Sequence, residues 1–280
     1  MTRPRLLAAP GPAARARTLL FVPGDRFDRY AKAAATAADL VILDLEDALP
    51  DENKDLARAS ASGWLAGQGR AGVRVNGTRT PHYEQDVQAL IGVAGLQAVV
   101  VPMADDPDAL TALHEKLGPD VEIVALVESA VGVLRAVELA ATPGVSRLAF
   151  GHLDFAADIA SSLHDDAMLM ARSSLVIASR AAELPGPVDG VTTALDDPQQ
   201  ARADAIRARA LGFAGKLCIQ PSQVDVVNAA FSPSEADIAW AQRIVEASAR
   251  GGALRVDGQM VDPPVVQRAR ALLARAEGSM

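Results

Sequence analysis

Cysteine is all but missing. Cys218 is the single thiol in 280 residues, so no disulfide can form within the chain, and a reducing cytoplasm is the expected compartment. Cys218 lies in the apolar run Leu217-Cys218-Ile219 with no histidine near it in sequence, which reads as a buried inert thiol rather than a nucleophile. Aromatic residues make up only 4 % of a chain that is 50 % apolar, so Ala, Val, Leu and Ile have to fill its core. No run of about 18 apolar residues occurs, and no transmembrane helix is expected. Basic residues are in the minority: 27 Lys and Arg face 35 Asp and Glu, a net charge of −8. Such a chain is not expected to bind nucleic acid or an anionic membrane through its overall field. Histidine is confined to positions 82, 114, 152 and 164, too scattered for a His-rich zinc centre. Neither a GxGxxG nor a Walker loop follows the first apolar run, which speaks against nucleotide binding.

What is present is alternation. Short β-branched runs fall at Thr18–Val22, Leu40–Leu45, Gly72–Asn76, Ala98–Pro102, Glu122–Val127, Arg147–Phe150, Pro187–Val191 and Gly215–Ile219, with Ala-rich helical stretches between them. Several are nearly all apolar, as strands buried on both faces must be. Eight strand-plus-helix units predict a (β/α)8 barrel, a TIM barrel, over an open doubly wound sheet. The barrel is assigned residues 17–231. Residues 1–16, rich in Ala, Pro and Arg and free of acids, read as a flexible leader with a faint likeness to a transit peptide. Residues 232–280 exceed what a barrel needs and read as a C-terminal helical extension, with a lid-like loop over Gly252–Pro264.

In such barrels the active site lies at the C-terminal ends of the strands. Those ends carry Arg26 after the first strand, Asp44, Glu46 and Asp47 at the second, Arg74 at the third, Glu128 at the fifth, and His152 and Asp154 at the sixth. Carboxylates with few histidines suit a hard cation such as Mg2+, which prefers oxygen ligands and keeps several waters. For Glu128 and Asp154 taken alone, helix capping or surface pairing is an equally good account. Arg74, on an apolar strand, suits a carboxylate or phosphate ligand, or else a bridge to Asp44 or Glu46.

Seven segments, in order, carry a resemblance. They are Arg17-Thr-Leu-Leu-Phe-Val-Pro-Gly24, Asp39-Leu-Val-Ile-Leu-Asp-Leu-Glu-Asp-Ala48 with Lys54 and Arg58 beyond it, Val73-Arg-Val-Asn76, Ala125-Leu-Val-Glu-Ser-Ala130, Phe150-Gly-His-Leu-Asp-Phe155, Ile219-Gln-Pro-Ser-Gln-Val224 and Asp257-Gly-Gln-Met-Val-Asp-Pro263. Together they resemble the citrate lyase β-subunit-like branch of the HpcH/HpaI aldolase/citrate lyase family. The resemblance implies a Mg2+-dependent carbon–carbon lyase that cleaves or forms a 3-hydroxyacyl-CoA, such as malyl-, citramalyl- or citryl-CoA, giving acetyl-CoA and an oxo-acid. It implies Glu128 and Asp154 as metal carboxylates and Arg74 as the group that binds the oxo-acid carboxylate and the thioester. Phe21, Arg26 and Lys32 are implied at the acyl-CoA site, with Leu153, Ile219 and Gln220 as neighbouring substrate contacts. Glu46 and Asp47 are implied as an acidic pair beside the metal. Asp262, with Asp257 as the weaker candidate, is implied as an acid–base group reaching a neighbouring subunit's site in a homotrimer or dimer of trimers. Two positions depart from the family pattern: Met103 stands where a Lys is usual, and Gln220 where many relatives have His. Two alternatives stay open at this point. One is a class II pyruvate-type aldolase acting on free hydroxy-oxo-acids with His152 as base. The other is a catalytically silent chain, or a citrate lyase complex subunit served by an acyl-carrier partner.

Overall fold

A side chain on a strand alternates between the two faces of the sheet. In a closed barrel this means every second residue points into the interior. Leu19 and Phe21, Leu40 and Ile42, Ala98 and Val100, Val124 and Leu126, and Ala149, Val188 and Leu217 form one packed cluster on that rule. In the computed structural model, which describes residues 11–47, 49–249, 254–256 and 259–277, eight parallel strands close on themselves in sequence order. They are β1 (Thr18–Pro23), β2 (Leu40–Asp44), β3 (Ala71–Arg74), β4 (Leu96–Val101), β5 (Glu122–Val127), β6 (Val145–Phe150), β7 (Val188–Asp189) and β8 (Gly215–Cys218). β1 pairs with both β2 and β8, which closes the ring. β7 is only two residues long, and Pro187 before it has no N–H to give to a ladder.

The chain divides into two compact units, residues 1–228 and 229–280. The second has its own small core of Ala241, Ile244, Val261 and Ala269, with Trp240 and Leu272 among the side chains packed on it. Its helices Glu235–Ala249 and Pro263–Glu277 frame β9 (Leu254–Val256) and β10 (Gln259–Val261), which pair antiparallel. The stretch expected to be a lid-like loop thus contains a hairpin. The signal was available, since Asp-Gly between two alternating runs is the pattern of a two-residue hairpin. Asp257 and Gly258 themselves lie outside the described residues. The helix expected over Ala130–Ala141 is broken at Arg135 into Ala130–Leu134 and Ala136–Ala141, and Arg135 Nη1 donates to the Asp105 carbonyl at 2.8 Å.

The flexible leader also needs correcting where it is described. Pro12–Arg15 is a one-turn helix, and Ala13, Ala14 and Ala16 are buried. Ala13 and Ala16 belong to the barrel's interior cluster, so this helix closes the floor of the barrel. Four residues make no stable helix alone, and here both ends are held. Glu122 accepts from the Ala13 and Ala14 N–H groups at 2.7 and 3.0 Å. Arg147, 1 % exposed, donates through Nη1 to the Ala13, Ala14 and Ala16 carbonyls and through Nε to Gly186. Burial pushes the Arg147 guanidinium down to about 10, with Glu122 and Asp39 opposing, which leaves it charged at neutral pH.

Arg147→Ala should therefore lower unfolding free energy by about 3 kcal/mol, because it orphans several buried carbonyls. Urea denaturation reads this directly; a loss well under ~1 kcal/mol would show that the floor holds without it.

Candidate active site

Two residues beyond the apolar interior layer, the same alternation brings a polar layer to the C-terminal rim. Ile42 is followed by Asp44, Gly72 by Arg74, Leu126 by Glu128 and Ala149 by Gly151. Asp44, Arg74, Leu126, Glu128 and Gly151 line one cavity of about 340 Å³ with Phe21, Pro23, Asp47, His152, Leu153, Asp154, Val191, Thr193, Leu217 and Ile219. The strand-end reading therefore put Phe21, Asp47, Arg74, Glu128, Leu153, Asp154 and Ile219 into one place. Asp44, Thr193 and Val191 are lining residues that no motif had singled out as ligands.

Arg74 is the hub. Its Nε and Nη2 donate to the two oxygens of Asp44 at 2.7 and 2.6 Å. Nη1 donates to Asp47 at 2.9 Å and lies 3.1 Å from Glu46 Oε2. The guanidinium carbon sits 4.8 Å from the centre of the Phe21 ring, a stacked position that a lysine could not copy. Burial works against the Arg74 charge, but the Asp44 hydrogen bonds and the surrounding acids outweigh it, and its pKa is raised. The expected bridge to Asp44 or Glu46 is thus real.

Glu128 directly follows β5 and is 4 % exposed. It accepts a hydrogen bond from the Met103 N–H at 2.8 Å. Met103 adopts φ 48°, a left-handed conformation uncommon outside glycine. The position where a Lys is usual thus contributes a backbone donor, while its side chain is partly exposed. Burial pushes Glu128 up to about 8; the Met103 N–H opposes this, while Glu46 and Asp154 add to it. Glu46 is pushed up to about 7, again by burial first, with Arg74 opposing and Asp47, Asp44 and Asp154 adding. Asp154 sits exposed in the first turn of the helix His152–Asp158. That helix starts at Gly151, where an added Cβ would fall 2.3 Å from Glu128 Oε1, so only glycine leaves room for the carboxylate.

The loop bearing Glu46 and Asp47 is pinned from behind. Lys54, 6 % exposed, donates to the Leu45 and Glu46 carbonyls and to Asn76 Oδ1, at 3.0, 3.1 and 2.6 Å. Asn76 in turn donates to Asp86, which Arg58 also holds. Lys54 and Arg58 stood in the sequence motif without a stated role; the structure supplies one.

Four expected site residues of the barrel unit lie outside the cavity lining: Glu46, which meets Arg74 beside it, and Arg26, Lys32 and Gln220. Arg26 pairs with Asp28 on the surface, and Lys32 is exposed. Gln220 closes a capping box with Gln223. Asp262 belongs to the second unit, where its carboxylate accepts from the Val265 N–H at 3.1 Å at a helix start. His152 lines the cavity, but burial pushes it down to about 4 and its Nδ1 has no protein partner. Cys218 is fully buried and its thiol is pushed up to about 12 by burial, an inert group.

Among the described residues, Asp44, Glu46 and Asp47 thus crowd around Arg74, and Glu128 and Asp154 line the same cavity. Burial raises two of those acids, Glu46 to about 7 and Glu128 to about 8, so protons compete for them near neutral pH. That donor set fits a divalent, oxygen-seeking cation. No group of three or more His, Cys, Asp or Glu is placed to enclose a metal among the described residues. A site with Glu128 and Asp154 as protein ligands, completed by water and substrate, is what Mg2+ accepts.

A barrel with a carboxylate-lined rim and a fixed arginine defines a metal-assisted enzyme acting on an anionic substrate. The family model HpcH/HpaI aldolase/citrate lyase matches residues 17–221. A citrate lyase subunit beta-like protein of Deinococcus radiodurans is 38 % identical over 282 residues, covering 94 % of this chain and 98 % of the relative. A (3S)-malyl-CoA thioesterase of Cereibacter sphaeroides is 36 % identical over 275 residues, covering 93 % and 94 %. The crystal structure of the protein CitE from Mycobacterium tuberculosis in complex with magnesium, acetoacetate and coenzyme A superposes with a TM-score of 0.83 at 34 % identity, covering 94 % of this chain and 99 % of that one. The chain belongs to the HpcH/HpaI aldolase/citrate lyase family, and its class is that of a carbon–carbon lyase.

The two raised glutamates make a linked prediction. Their folded pKa values lie above the ordinary 4.5, so the folded metal-free protein binds extra protons between about pH 4.5 and 8. Its stability should fall as pH rises through that window. Mg2+ should raise the melting temperature more at pH 8 than at pH 6, where protons compete with it. A Mg2+ increment that is flat with pH, or one unchanged in Glu128→Gln, would rule out Glu128 as a ligand.

Proposed function

We propose that this chain is a Mg2+-dependent lyase that cleaves or forms a carboxylate-bearing 3-hydroxyacyl-CoA, such as malyl-, citramalyl- or citryl-CoA, giving acetyl-CoA and an oxo-acid. The observation that carries it is the crowd of acids around Arg74 at the mouth of an apolar-walled cavity. The relatives' names and the magnesium and coenzyme A held by the structural neighbour support the same reading.

Bound by Glu128 and Asp154, Mg2+ would withdraw electron density from the hydroxyl and carboxylate oxygens of the substrate. Arg74 presents its Nη edge to the substrate carboxylate and the thioester oxygen. Charge moves to that oxygen as the carbon–carbon bond breaks, and a fixed donor in a dry site stabilises it. Phe21, Leu126, Val191 and Leu217 keep bulk water off the thioester enolate. Glu46, with a pKa of about 7, holds or releases a proton on Oε near neutral pH and orients water beside the metal ligands. The hydroxyl loses its proton, the oxo-acid carbonyl forms, and the enolate carbon gains a proton to give acetyl-CoA. We assign that last proton to the carboxyl of Asp262 from a neighbouring copy in a trimer, on the strength of the family resemblance. Arg26 and Lys32 are assigned to the coenzyme A phosphates, as exposed cations. A free-acid aldolase using His152 as base fits less well, since an imidazole with a pKa near 4 is a weak base at neutral pH.

Purified protein incubated with Mg2+, acetyl-CoA and glyoxylate, pyruvate or oxaloacetate in turn should form a hydroxyacyl-CoA with one of them. Asp154→Ala should lose about 10³-fold or more in turnover, in line with removal of a charge-stabilising group; retained turnover sinks the metal assignment. Asp154→Ala and Asp262→Ala should each be inactive alone, yet regain activity when co-assembled, because one mixed interface then carries both intact acids. No recovery on co-assembly would place Asp262 outside the neighbour's site.

A further inference from the structure

A guanidinium offers two edges to an anion: the side-on fork of Nε with one Nη, and the end-on pair of Nη groups. In Arg74 the side-on fork is filled. Both oxygens of Asp44 occupy it, at 2.7 and 2.6 Å. Asp44 is 3 % exposed at the last position of β2, and its Oδ1 also accepts the Glu46 N–H at 3.0 Å. It has nowhere to go. The opposite Nη1 faces two acids: Glu46 Oε2 at 3.1 Å, on a side chain 22 % exposed, and Asp47 at 2.9 Å, on a side chain that is 64 % exposed and can turn into solvent at little cost. The Phe21 ring, 4.8 Å from the guanidinium carbon, keeps the group from rotating out of this plane.

We infer that Asp44 is a positioning residue, which locks the Nε–Nη2 fork of Arg74 so that a substrate carboxylate can meet it only at the outer Nη edge, in the place Asp47 holds in the free enzyme. The inference rests on the proposed function for its substrate, and it adds two roles that the acids' nearness to a metal does not imply. Asp44 is fixed and never ligates substrate. Asp47 is a placeholder that the substrate displaces, so the outer Nη edge exchanges one carboxylate for another while Asp44 keeps the side-on fork.

The two neighbouring acids should then respond with opposite signs. Asp44→Asn keeps an oxygen for Nε and the Glu46 N–H but sets an amide NH2 against the Nη2 donor, so the fork loses its register. Pyruvate binding at saturating Mg2+, read by calorimetry, should weaken tenfold or more, and KM for the oxo-acid should rise alike while KM for acetyl-CoA stays within twofold. Asp47→Asn removes the competitor, and pyruvate should bind about threefold more tightly under the same conditions. A merely structural role would weaken both variants. Weaker binding in both, or Asp44→Asn within twofold of wild type, overturns the inference. If Asp44→Asn folds poorly by thermal denaturation, Asp47→Asn decides alone, and unchanged or weaker pyruvate binding overturns it. A wild-type protein that binds pyruvate with Mg2+ yet shows no coenzyme A-dependent turnover would instead overturn the proposed function, while the comparison of the two variants still reads the roles of Asp44 and Asp47.

Discussion

Like charges brought together are costly, and the rim of this barrel holds three carboxylates on one guanidinium and two more, Glu128 and Asp154, in the same cavity. Everything else at the site follows from keeping that arrangement in place. Lys54 spends two donors on the loop that carries Glu46 and Asp47 and the third on Asn76. Met103 takes up a left-handed backbone so that its N–H reaches Glu128. Gly151 forgoes a side chain so that the Glu128 carboxylate has room. Each of these is a local cost accepted for one purpose, a concentrated negative potential facing a cavity. Such a potential attracts a divalent cation.

The barrel supplies the rigidity that this charge arrangement needs. Its interior is built from small and medium aliphatic side chains, as a chain with 4 % aromatics must build it. The polar groups begin only where the apolar layers end, so the acids stand on a floor that cannot rearrange around them. Phe21 is one of the few aromatics, and it lies against Arg74, where a flat surface is useful to a planar cation.

Much of this was legible in the sequence because it is periodic. Eight apolar runs at regular spacing define the barrel, and the residue ending each run lies on the rim, so Arg74, Glu128 and Asp154 could be placed together before any coordinates. The partners that hold them could not. Lys54 looks like a surface residue of an ordinary helix, and only its burial against the Leu45 and Glu46 carbonyls reveals its work. Asp44 reads as one acid in a run of three, and nothing in the spacing says that it alone is sealed behind Arg74. Gln220, read as a substrate contact, turned out to serve a capping box, because a polar residue after a strand can satisfy a helix start as readily as a ligand. The Pro-rich beginning misled for a related reason: a single turn of helix has no periodicity, and its stability comes wholly from Glu122 and Arg147, more than 100 residues away.

That last distance has a consequence for how the chain is made. The helix Pro12–Arg15 leaves the ribosome ahead of every barrel strand, but the guanidinium that satisfies its carbonyls is 131 to 134 residues further on. β1 likewise gains its second neighbour only with β8. Both ends of the ring are therefore sealed late, by contacts of high sequence separation. During synthesis the floor helix lacks its guanidinium until β6 has followed, and the first strand carries an open hydrogen-bonding edge until the last barrel strand has followed, so the nascent chain is exposed to mispairing for that whole interval.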